Sequence, residues 1–296
     1  MEKAWQYAEE SSRLFGNAKY GYVPGSISST LEYAYTEWCM AELAKALGKT
    51  SGEQHYRKLA KSYQHIYDAV HRSFRPKDEK GSFLPWPEKG RLTEGYGSVE
   101  SNPFQQGWFV PHDIEGLAQL MGGREKTIEE LDYMFANTPT DFLWNQLYNH
   151  ANEPVHHVPF LYNRLGQPWK TQYWTRFICQ KAYKNEVKGL VGNEDVGQMS
   201  AWYVLASIGM HPICPGDTRM ELSAPLFDEV TLRLAGGKVF TIRVKGQSPQ
   251  NTYIQSAMLN GKPYTKCYID YQDVVQGGVL ELTLSDQPNK NWGVGE

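Results

Sequence analysis

Hydrophobic residues recur at three- and four-residue steps up to about residue 212, which is the period of an α-helix. The pattern predicts one helix over 52–75, ended by Pro76, and another over 29–47, followed by Gly48 as a C-terminal cap. The apolar face of the first comprises Tyr56, Leu59, Ala60, Tyr63, Tyr67, Val70 and Phe74, and that of the second comprises Leu31, Ala34, Tyr35, Trp38 and Ala41.

Shorter helical patterns follow, and two long loops separate them. The loops cover 76–110 and 137–167 and contain many glycine, proline and tryptophan residues. Loops of this length in a compact domain are usually functional or disordered, and the aromatic content favours function. Thr127 and Glu130 have the spacing of a capping box at a helix start. The further helices are predicted near 2–15, 113–121, 127–136, 168–184 and 197–209.

The hydrophobic period changes to two after Pro215, which predicts strands. Gly236-Gly237 and Gly277-Gly278 provide turns between the alternating runs. We therefore predict a mainly α chain with a β tail, in which paired helices over 1–214 form part of an α/α toroid and 215–296 form a small antiparallel β region. The alternating apolar positions are Val230, Leu232, Leu234, Phe240, Ile242, Val244, Leu280, Leu282 and Leu284.

The composition excludes several classes of protein. The 296 residues are 41% hydrophobic and 21% charged, so a folded core is expected. A net charge of -3 without a basic run argues against a nucleic-acid binder, and no apolar run is long enough to span a membrane. The four cysteines include no CxxC pair, which argues against zinc and against a disulfide framework.

Aromatic residues are abundant, with nine Trp and 19 Tyr. Aromatic faces in clefts stack on sugar rings, although most such residues fill cores. The first ten residues are charged and amphipathic, unlike a signal peptide. The chain is therefore expected either to stay inside the cell or to be a piece of a longer protein.

Polar residues concentrate in three loop segments, each directly before a predicted helix, at 100–113, 152–157 and 192–203. Structural explanations exist for all three. Asp113 has the position of a helix N-cap, and Glu194 and Asp195 open a helix at which acidic residues are favoured. The adjacent histidines of the second segment could be buried and hydrogen-bonded.

Together, the three segments predict carboxylates from separate loops that serve one cleft. Glycoside cleavage requires one carboxylic acid that donates a proton to the leaving oxygen and a second group that attacks or activates water. Asn, Asp and Glu oxygens also suit a hard cation such as calcium. The sequence contains neither an HExxH zinc motif nor a G-x-S-x-G elbow nor a phosphate-binding glycine loop.

These segments resemble glycoside hydrolase family 92, the calcium-dependent α-mannosidases. The most specific run is GNEDVGQMSAWYVLASIGMHP at 192–212, and the resemblance extends in order over almost the entire chain. The other similar runs are TLEYAYTEWC at 30–39, the segment 100–113, NEPVHH at 152–157, PFLYN at 159–163, KTQ at 170–172, SAPLFDEV at 223–230, YIQSAMLNGKP at 253–263 and GGVLELTL at 277–284.

The resemblance implies calcium-dependent, inverting exo-hydrolysis of α-mannosides or N-glycans within an (α/α)6 barrel. Glu100 matches the family's general acid, and Asp195 matches the general base, with Glu194 as its acidic neighbour. Asn152 and Glu153 lie in the motif linked to calcium. The residues that the resemblance assigns to substrate binding are Asn152, His156, His157, Trp108 and Gln105.

Family members are commonly more than twice this length and begin with a β-sandwich. This chain is therefore expected to start inside the barrel and to have weak activity when isolated. The alternative is a non-enzymatic fragment or split-gene half that binds carbohydrate or needs a partner chain. An open half-toroid would expose apolar helix faces, which predicts self-association or pairing with an N-terminal half. A third, weaker interpretation is a lyase or isomerase on a toroid. Most relatives are exported, but the sequence itself predicts no location.

Overall fold

The computed structural model describes residues 2–12 and 17–295, which form two compact units. The first unit comprises Met1–Asn137 and Gln146–Tyr148, and the second comprises Thr138–Asn145 and Asn149–Glu296. The sequence-based boundary after residue 214 marks a change from helix to strand within the second unit and remains a prediction about domains. No helix of the described ranges is both long enough and apolar enough to cross a bilayer.

The first unit is mainly helical. Its longest helix, α3, begins after Ser26, whose side chain accepts a hydrogen bond from Ser29 N, and ends before Gly48, which has a φ of +69°. The helix predicted over 29–47 is therefore confirmed. The helices are α1 (Glu2–Ser12), α2 (Asn17–Tyr20), α3 (Ile27–Ala46), α4 (Thr50–Leu59), α5 (Pro103–Gln106), α6 (Ile114–Leu120) and α7 (Arg124–Asn137), and the strands are β1 (Tyr67–Asp68) and β2 (Ser73–Phe74).

The helix predicted over 52–75 is wrong beyond Leu59. A 3₁₀ turn at Ser62–Ile66 and the antiparallel β1–β2 hairpin replace its second half. The Asp68 carboxylate accepts hydrogen bonds from Val70 N at 3.0 Å and from the Arg75 guanidinium at 2.7 Å. These local bonds compete with the helix and turn the chain. The turn and hairpin bury Tyr63 and Phe74 of the predicted apolar face but leave Val70 exposed, so the hydrophobic spacing was not a reliable sign of a helix here.

The helix starts of α6 and α7 differ in how well the sequence predicts them. Asp113 is the N-cap of α6 and accepts a hydrogen bond from Gly116 N at 2.9 Å, which confirms the structural interpretation of this residue. The capping box at Thr127 is wrong, because α7 already begins at Arg124 and the Thr127 hydroxyl donates to Gly123 O inside the helix. The turn before α7 is made by two glycines with positive φ, which sets the earlier start.

In its described residues, up to residue 295, the second unit combines four helices with eight strands. Its helices are α8 (Leu161–Arg164), α9 (Pro168–Lys181), α10 (Gln198–Ser207) and α11 (Tyr271–Gln276). Its strands are β3 (Met210–His211), β4 (Arg219–Leu222), β5 (Glu229–Arg233), β6 (Val239–Lys245), β7 (Tyr253–Leu259), β8 (Lys262–Tyr264), β9 (Tyr268–Asp270) and β10 (Gly278–Ser285). The 3₁₀ turns Glu153–Val155 and Val158–Phe160 lie within the second long loop.

The β region contains a three-stranded sheet, β3-β4-β9, and a five-stranded sheet, β5-β6-β10-β7-β8. The three-stranded sheet is antiparallel, as predicted, whereas the five-stranded sheet is mixed because β10 is parallel to β6 and antiparallel to β7. A strand inserted between two strands that run in opposite directions must be parallel to one of them. The prediction that the β region is antiparallel throughout is therefore wrong for the pair β6 and β10. No local sequence pattern specifies that these two strands pair in parallel.

Helices and sheets of the second unit are joined by buried polar side chains. Asn163 donates hydrogen bonds to Leu222 O at 3.1 Å and to Cys267 O at 2.9 Å, and Gln172 accepts one from Ile254 N at 2.9 Å. Both residues belong to runs that carry the family resemblance. Their role here is structural, because they satisfy backbone groups at strand ends that would otherwise be buried without partners.

Candidate active site

Glu100 is exposed and lies two residues before the N-cap Asn102 of α5. The Asn102 side chain accepts hydrogen bonds from Phe104 N and Gln105 N, both at 3.0 Å, and the Gln105 side chain accepts one from Asn102 N at 3.3 Å. The capping box therefore fixes the backbone directly after Glu100. On the other side, Val99 N donates to Ser28 Oγ at 2.9 Å.

The Glu100 backbone has a φ of +50°, a left-handed conformation that residues other than glycine seldom adopt. Such a residue costs on the order of 1–3 kcal/mol and persists only where its surroundings impose it. The capping box and the Ser28 contact supply that constraint. Strained backbone conformations of this kind are concentrated at functional sites. A glutamate in a sequence gives no sign that its backbone φ is positive.

The backbone at Asp195 is also left-handed, and here three consecutive residues have positive φ. Asp195, Val196 and Gly197 have φ values of +39°, +57° and +86°, and they form a left-handed run directly before α10. Valine is an unfavourable residue for this region, because its branched β-carbon crowds the backbone. Both Asp195 and Val196 are exposed, so side-chain burial does not offset the cost.

Two adjacent acids, Glu194 and Asp195, differ in what they contact. The Glu194 carboxylate accepts hydrogen bonds from Ser200 N at 3.0 Å and from Ser200 Oγ at 2.9 Å, so it stabilises the first turn of α10. Within the described residues, no hydrogen bond or ion pair engages the Asp195 carboxylate. Glu194 therefore holds the start of α10, whereas the exposed Asp195 carboxylate is not used by these contacts.

The segment 152–157 is mostly buried. Asn152 and His157 are each 7% exposed and His156 is 2% exposed, whereas Glu153 is half-buried at the start of a 3₁₀ turn. His156 donates from Nε2 to His150 O at 3.0 Å and accepts at Nδ1 from Gln198 Nε2 at 3.3 Å. Burial lowers the pKa of His156 to about 4, so its imidazole is neutral at pH 7.

Two of the sequence-predicted substrate contacts are interior residues of the first unit. Trp108 is 2% exposed and lies 6.3 Å from Phe104 between ring centroids. Gln105 is 4% exposed, and its Nε2 donates to Leu147 O at 2.9 Å. In this structure their side chains pack and bond inside the protein, and their assignment to substrate binding remains a prediction.

Calcium requires several oxygen ligands. Asn152 and Glu153 offer an amide and a carboxylate oxygen from neighbouring positions, which fits a hard cation. Across residues 2–12 and 17–295, no group of three or more His, Cys, Asp or Glu side chains is arranged to hold a metal. A calcium site at Asn152 and Glu153 would therefore draw its further ligands from backbone carbonyls, amides or water.

His150 and Tyr183, which no sequence motif singled out, connect two of the predicted segments inside the second unit. His150 Nε2 lies 2.8 Å from Tyr183 Oη, and Tyr183 Oη donates to Met199 O at 3.0 Å. His150 could have been selected, because it precedes the segment 152–157 by two residues. Tyr183 has no local signal, because its partners lie far along the chain.

The chain matches the family model of the glycosyl hydrolase family 92 catalytic domain over residues 2–286. The class that this match defines is a glycosidase catalytic domain. The chain belongs to glycoside hydrolase family 92, which confirms the family inferred from the sequence motifs.

A curated protein of Arthroderma benhamiae, described as an uncharacterized secreted glycosidase, is 32% identical to this chain. That match covers 93% of this chain and 37% of the relative. The chain therefore spans little more than a third of the length of this relative.

Two solved Bacteroides thetaiotaomicron structures are also similar. A family 92 α-mannosidase has a TM-score of 0.92 at 33% identity, and a family 92 inverting mannosidase has a TM-score of 0.91 at 34% identity. Each match covers 99% of this chain, but only 40% and 44% of those chains. The fold of the family is thus present in the described part of this chain.

Proposed function

We propose that this chain carries the catalytic carboxylates of an inverting, calcium-dependent exo-α-mannosidase that removes terminal mannose from α-mannosides or N-glycans. The observation that carries the proposal is the left-handed backbone at both Glu100 and Asp195. The two residues that the family resemblance assigns to acid and base are two of the few non-glycine residues with positive φ. The mannose specificity rests on the similar mannosidases.

In this mechanism the Glu100 carboxylic acid donates a proton to the glycosidic oxygen as the bond to the sugar breaks. The Asp195 carboxylate accepts a proton from the attacking water, and the product has the inverted anomeric configuration. Glu194 keeps the first turn of α10 in place through Ser200. Asn152 and Glu153 would hold calcium, which would orient sugar hydroxyls and help to distort the ring toward the transition state.

The proposal also treats the helices as a section of an (α/α)6 toroid. Its support is the mainly helical first unit and the likeness to family 92 structures over 99% of the chain. Because the chain spans only 40–44% of those structures, the activity of the whole relatives is a proposal for this chain. Pairing with a further chain or a second copy is part of the same proposal.

The test is hydrolysis of methyl α-mannoside and an α-1,2-mannobiose with calcium, followed by proton NMR of the first anomer released. We expect β-mannose first, and we expect a chelator to stop turnover until calcium is restored. Release of α-mannose first would overturn the inverting mechanism, and unchanged turnover with the chelator would overturn the calcium requirement. Absence of turnover on both substrates would overturn the activity of this chain.

A further inference from the structure

A group of aromatic side chains in the second unit, buried except for the half-buried Tyr183, surrounds Trp202 of α10, the helix that follows Asp195. We define the imidazole clamp as His150, His156, Tyr183 and Trp202. The Tyr183 and Trp202 rings are stacked at 5.9 Å with an interplanar angle of 2°, and the His150 ring meets Trp202 edge-on at 4.5 Å. His150 and Trp202 are fully buried. The described geometry gives each of these rings a fixed orientation.

The hydrogen bonds of the clamp have a defined direction. Tyr183 has one hydroxyl proton and donates it to Met199 O, so the 2.8 Å contact with His150 requires His150 Nε2 to be the donor. His156 donates from Nε2 and accepts at Nδ1 from Gln198. Burial lowers the pKa of both imidazoles, which keeps each neutral and able to hold one tautomer.

These bonds end on the first turn of α10. Met199 is the second residue of that helix, and Gln198 N donates to Asp195 O at 3.1 Å. Trp202 Nε1 donates to His156 O at 2.8 Å from one turn further along the helix. The clamp therefore holds the helix start that directly follows the left-handed run at 195–197.

We propose that Tyr183 is a positioning residue for Asp195, an inference that rests on the proposed function. Its hydroxyl, oriented by His150, holds the Met199 carbonyl and thereby fixes the first turn of α10. A fixed helix start keeps the Asp195–Gly197 run in its strained conformation with the carboxylate exposed. Without the hydroxyl, the run relaxes and the Asp195 carboxylate samples other positions.

The test compares Tyr183→Phe with Tyr203→Phe as a matched control. Phenylalanine keeps the ring stacked on Trp202 and removes only the hydroxyl. Tyr203 packs against Tyr183 at 4.8 Å between ring centroids, but the hydroxyl of Tyr203 has no described hydrogen bond. We expect amide hydrogen exchange over 194–200 to accelerate about tenfold in Tyr183→Phe alone. Turnover should fall about 10- to 100-fold with an unchanged KM, because a misplaced base lowers the rate rather than binding.

Gln198→Met is a second, milder variant, because it removes the amide that bonds His156 and leaves the buried rings intact. It should accelerate exchange over 194–200 in the same direction as Tyr183→Phe. It tests from the side of His156 whether the clamp holds this helix start, should Tyr183→Phe fail to fold.

The readouts separate this inference from the proposed function. An inactive wild-type chain would overturn the function, while hydrogen exchange would still test the clamp. Unchanged exchange over 194–200 in both variants would overturn the positioning role. An increase spread evenly over 149–295, or matched by Tyr203→Phe, would also overturn it, because Tyr183 would then be only a general structural residue.

Discussion

The two units each present one proposed catalytic carboxylate on a left-handed residue, but they support it differently. In the first unit, Glu100 is followed by a capping box and preceded by a backbone contact to Ser28. In the second unit, the Asp195 run is held by a carboxylate cap and by buried rings. The same backbone conformation can thus be supported by a capping box with one tertiary contact, or by a helix-start carboxylate with a cluster of rings. Both routes include a residue distant in sequence, which is Ser28 in the first unit and His150 in the second.

One buried acid of the first unit and three buried histidines of the second have pKa values shifted in opposite directions. The first unit buries Glu37, whose oxygens have no hydrogen-bond partner within the described residues, and burial raises its pKa to about 7. The second buries His150, His156 and His211, whose pKa values burial lowers. A buried acid without a partner favours the folded state at low pH, whereas buried neutral imidazoles favour it at higher pH.

The largest expected effect is on turnover, and it distinguishes Glu100, the proposed acid, from Asp195, the proposed base. Glu100→Gln should lower turnover of methyl α-mannoside by about 10²–10⁴-fold but should retain activity on a 2,4-dinitrophenyl mannoside, whose leaving group needs no proton. Asp195→Asn should lose activity on both substrates. Initial rates on the two substrates check this, with Glu88→Gln and Asp286→Asn as exposed controls. Equal losses on both substrates in Glu100→Gln would exclude it as the acid.

A second prediction concerns the pH dependence of the first unit. The folded pKa of Glu37 lies above its ordinary value of 4.5, so its contribution to the stability of the first unit is present below pH 4.5 and is lost as the pH rises through about 7. The loss corresponds to roughly 3 kcal/mol. Glu37→Gln should therefore unfold at higher urea than wild type at pH 8 and not at pH 4.5. The exposed Glu129→Gln is the control, and parallel profiles would contradict the prediction.

The second unit should show the opposite dependence. The folded pKa of His156 is about 4, below its ordinary 6.5, so the stability it contributes is present above pH 6.5 and is lost as the pH falls through 4. Amide exchange over 149–157, corrected for intrinsic pH effects, should accelerate from pH 7 to pH 4.5. The exposed His65→Asn should leave this change intact. Protection that stays constant would argue against a neutral buried His156.

A smaller effect distinguishes the two adjacent acids of the Asp195 loop. Glu194→Gln keeps one acceptor for Ser200 and loses the charge at the start of α10, which should cost about 1 kcal/mol of unfolding free energy with a modest loss of turnover. Asp195→Asn should change stability little. Urea unfolding followed by tryptophan fluorescence measures both. A larger stability loss in Asp195→Asn would reverse the assignment of cap and open carboxylate.

The smallest expected effect concerns Val196. Val196→Gly relieves the positive φ but increases the freedom of the unfolded chain, so its unfolding free energy should stay within about 0.5 kcal/mol of wild type. Val239→Gly, at an exposed strand position, should cost about 1 kcal/mol. The difference between the two variants in urea unfolding measures the strain in the Asp195 run, and equal losses would mean that the run is unstrained.

The sequence was sufficient where a structural period is long and local. It predicted α3, the α6 cap at Asp113 and the strand-rich tail, because each follows from hydrophobic spacing or capping chemistry. It failed at 60–75, where the Asp68 side chain turns the chain although the apolar spacing continues. The sequence also did not predict the parallel pairing of β10 with β6, because pairing between strands that are distant along the chain has no local sequence pattern.

The candidate site was predicted only in part. The motifs selected Glu100, Glu194 and Asp195. The sequence does not show that Glu194 bonds the start of α10 while the Asp195 carboxylate is exposed. Positive φ at Glu100 and Val196 contradicts residue preferences, so the sequence alone does not predict it. Tyr183 has no motif of its own, because its role depends on a carbonyl 16 residues away and an imidazole 33 residues away.

The order of strands in the five-stranded sheet has a consequence for synthesis on the ribosome. The central strand, β10, is the last of the five to be synthesised. Until then, β6 and β7 each have one edge whose backbone groups are unpaired. Until β10 is inserted, β5-β6 and β7-β8 are separate hairpins with no shared hydrogen bonds. The nascent β region is thus held open until its final strand appears, and exposed edges of this kind are the surfaces on which chaperones act or aggregation begins.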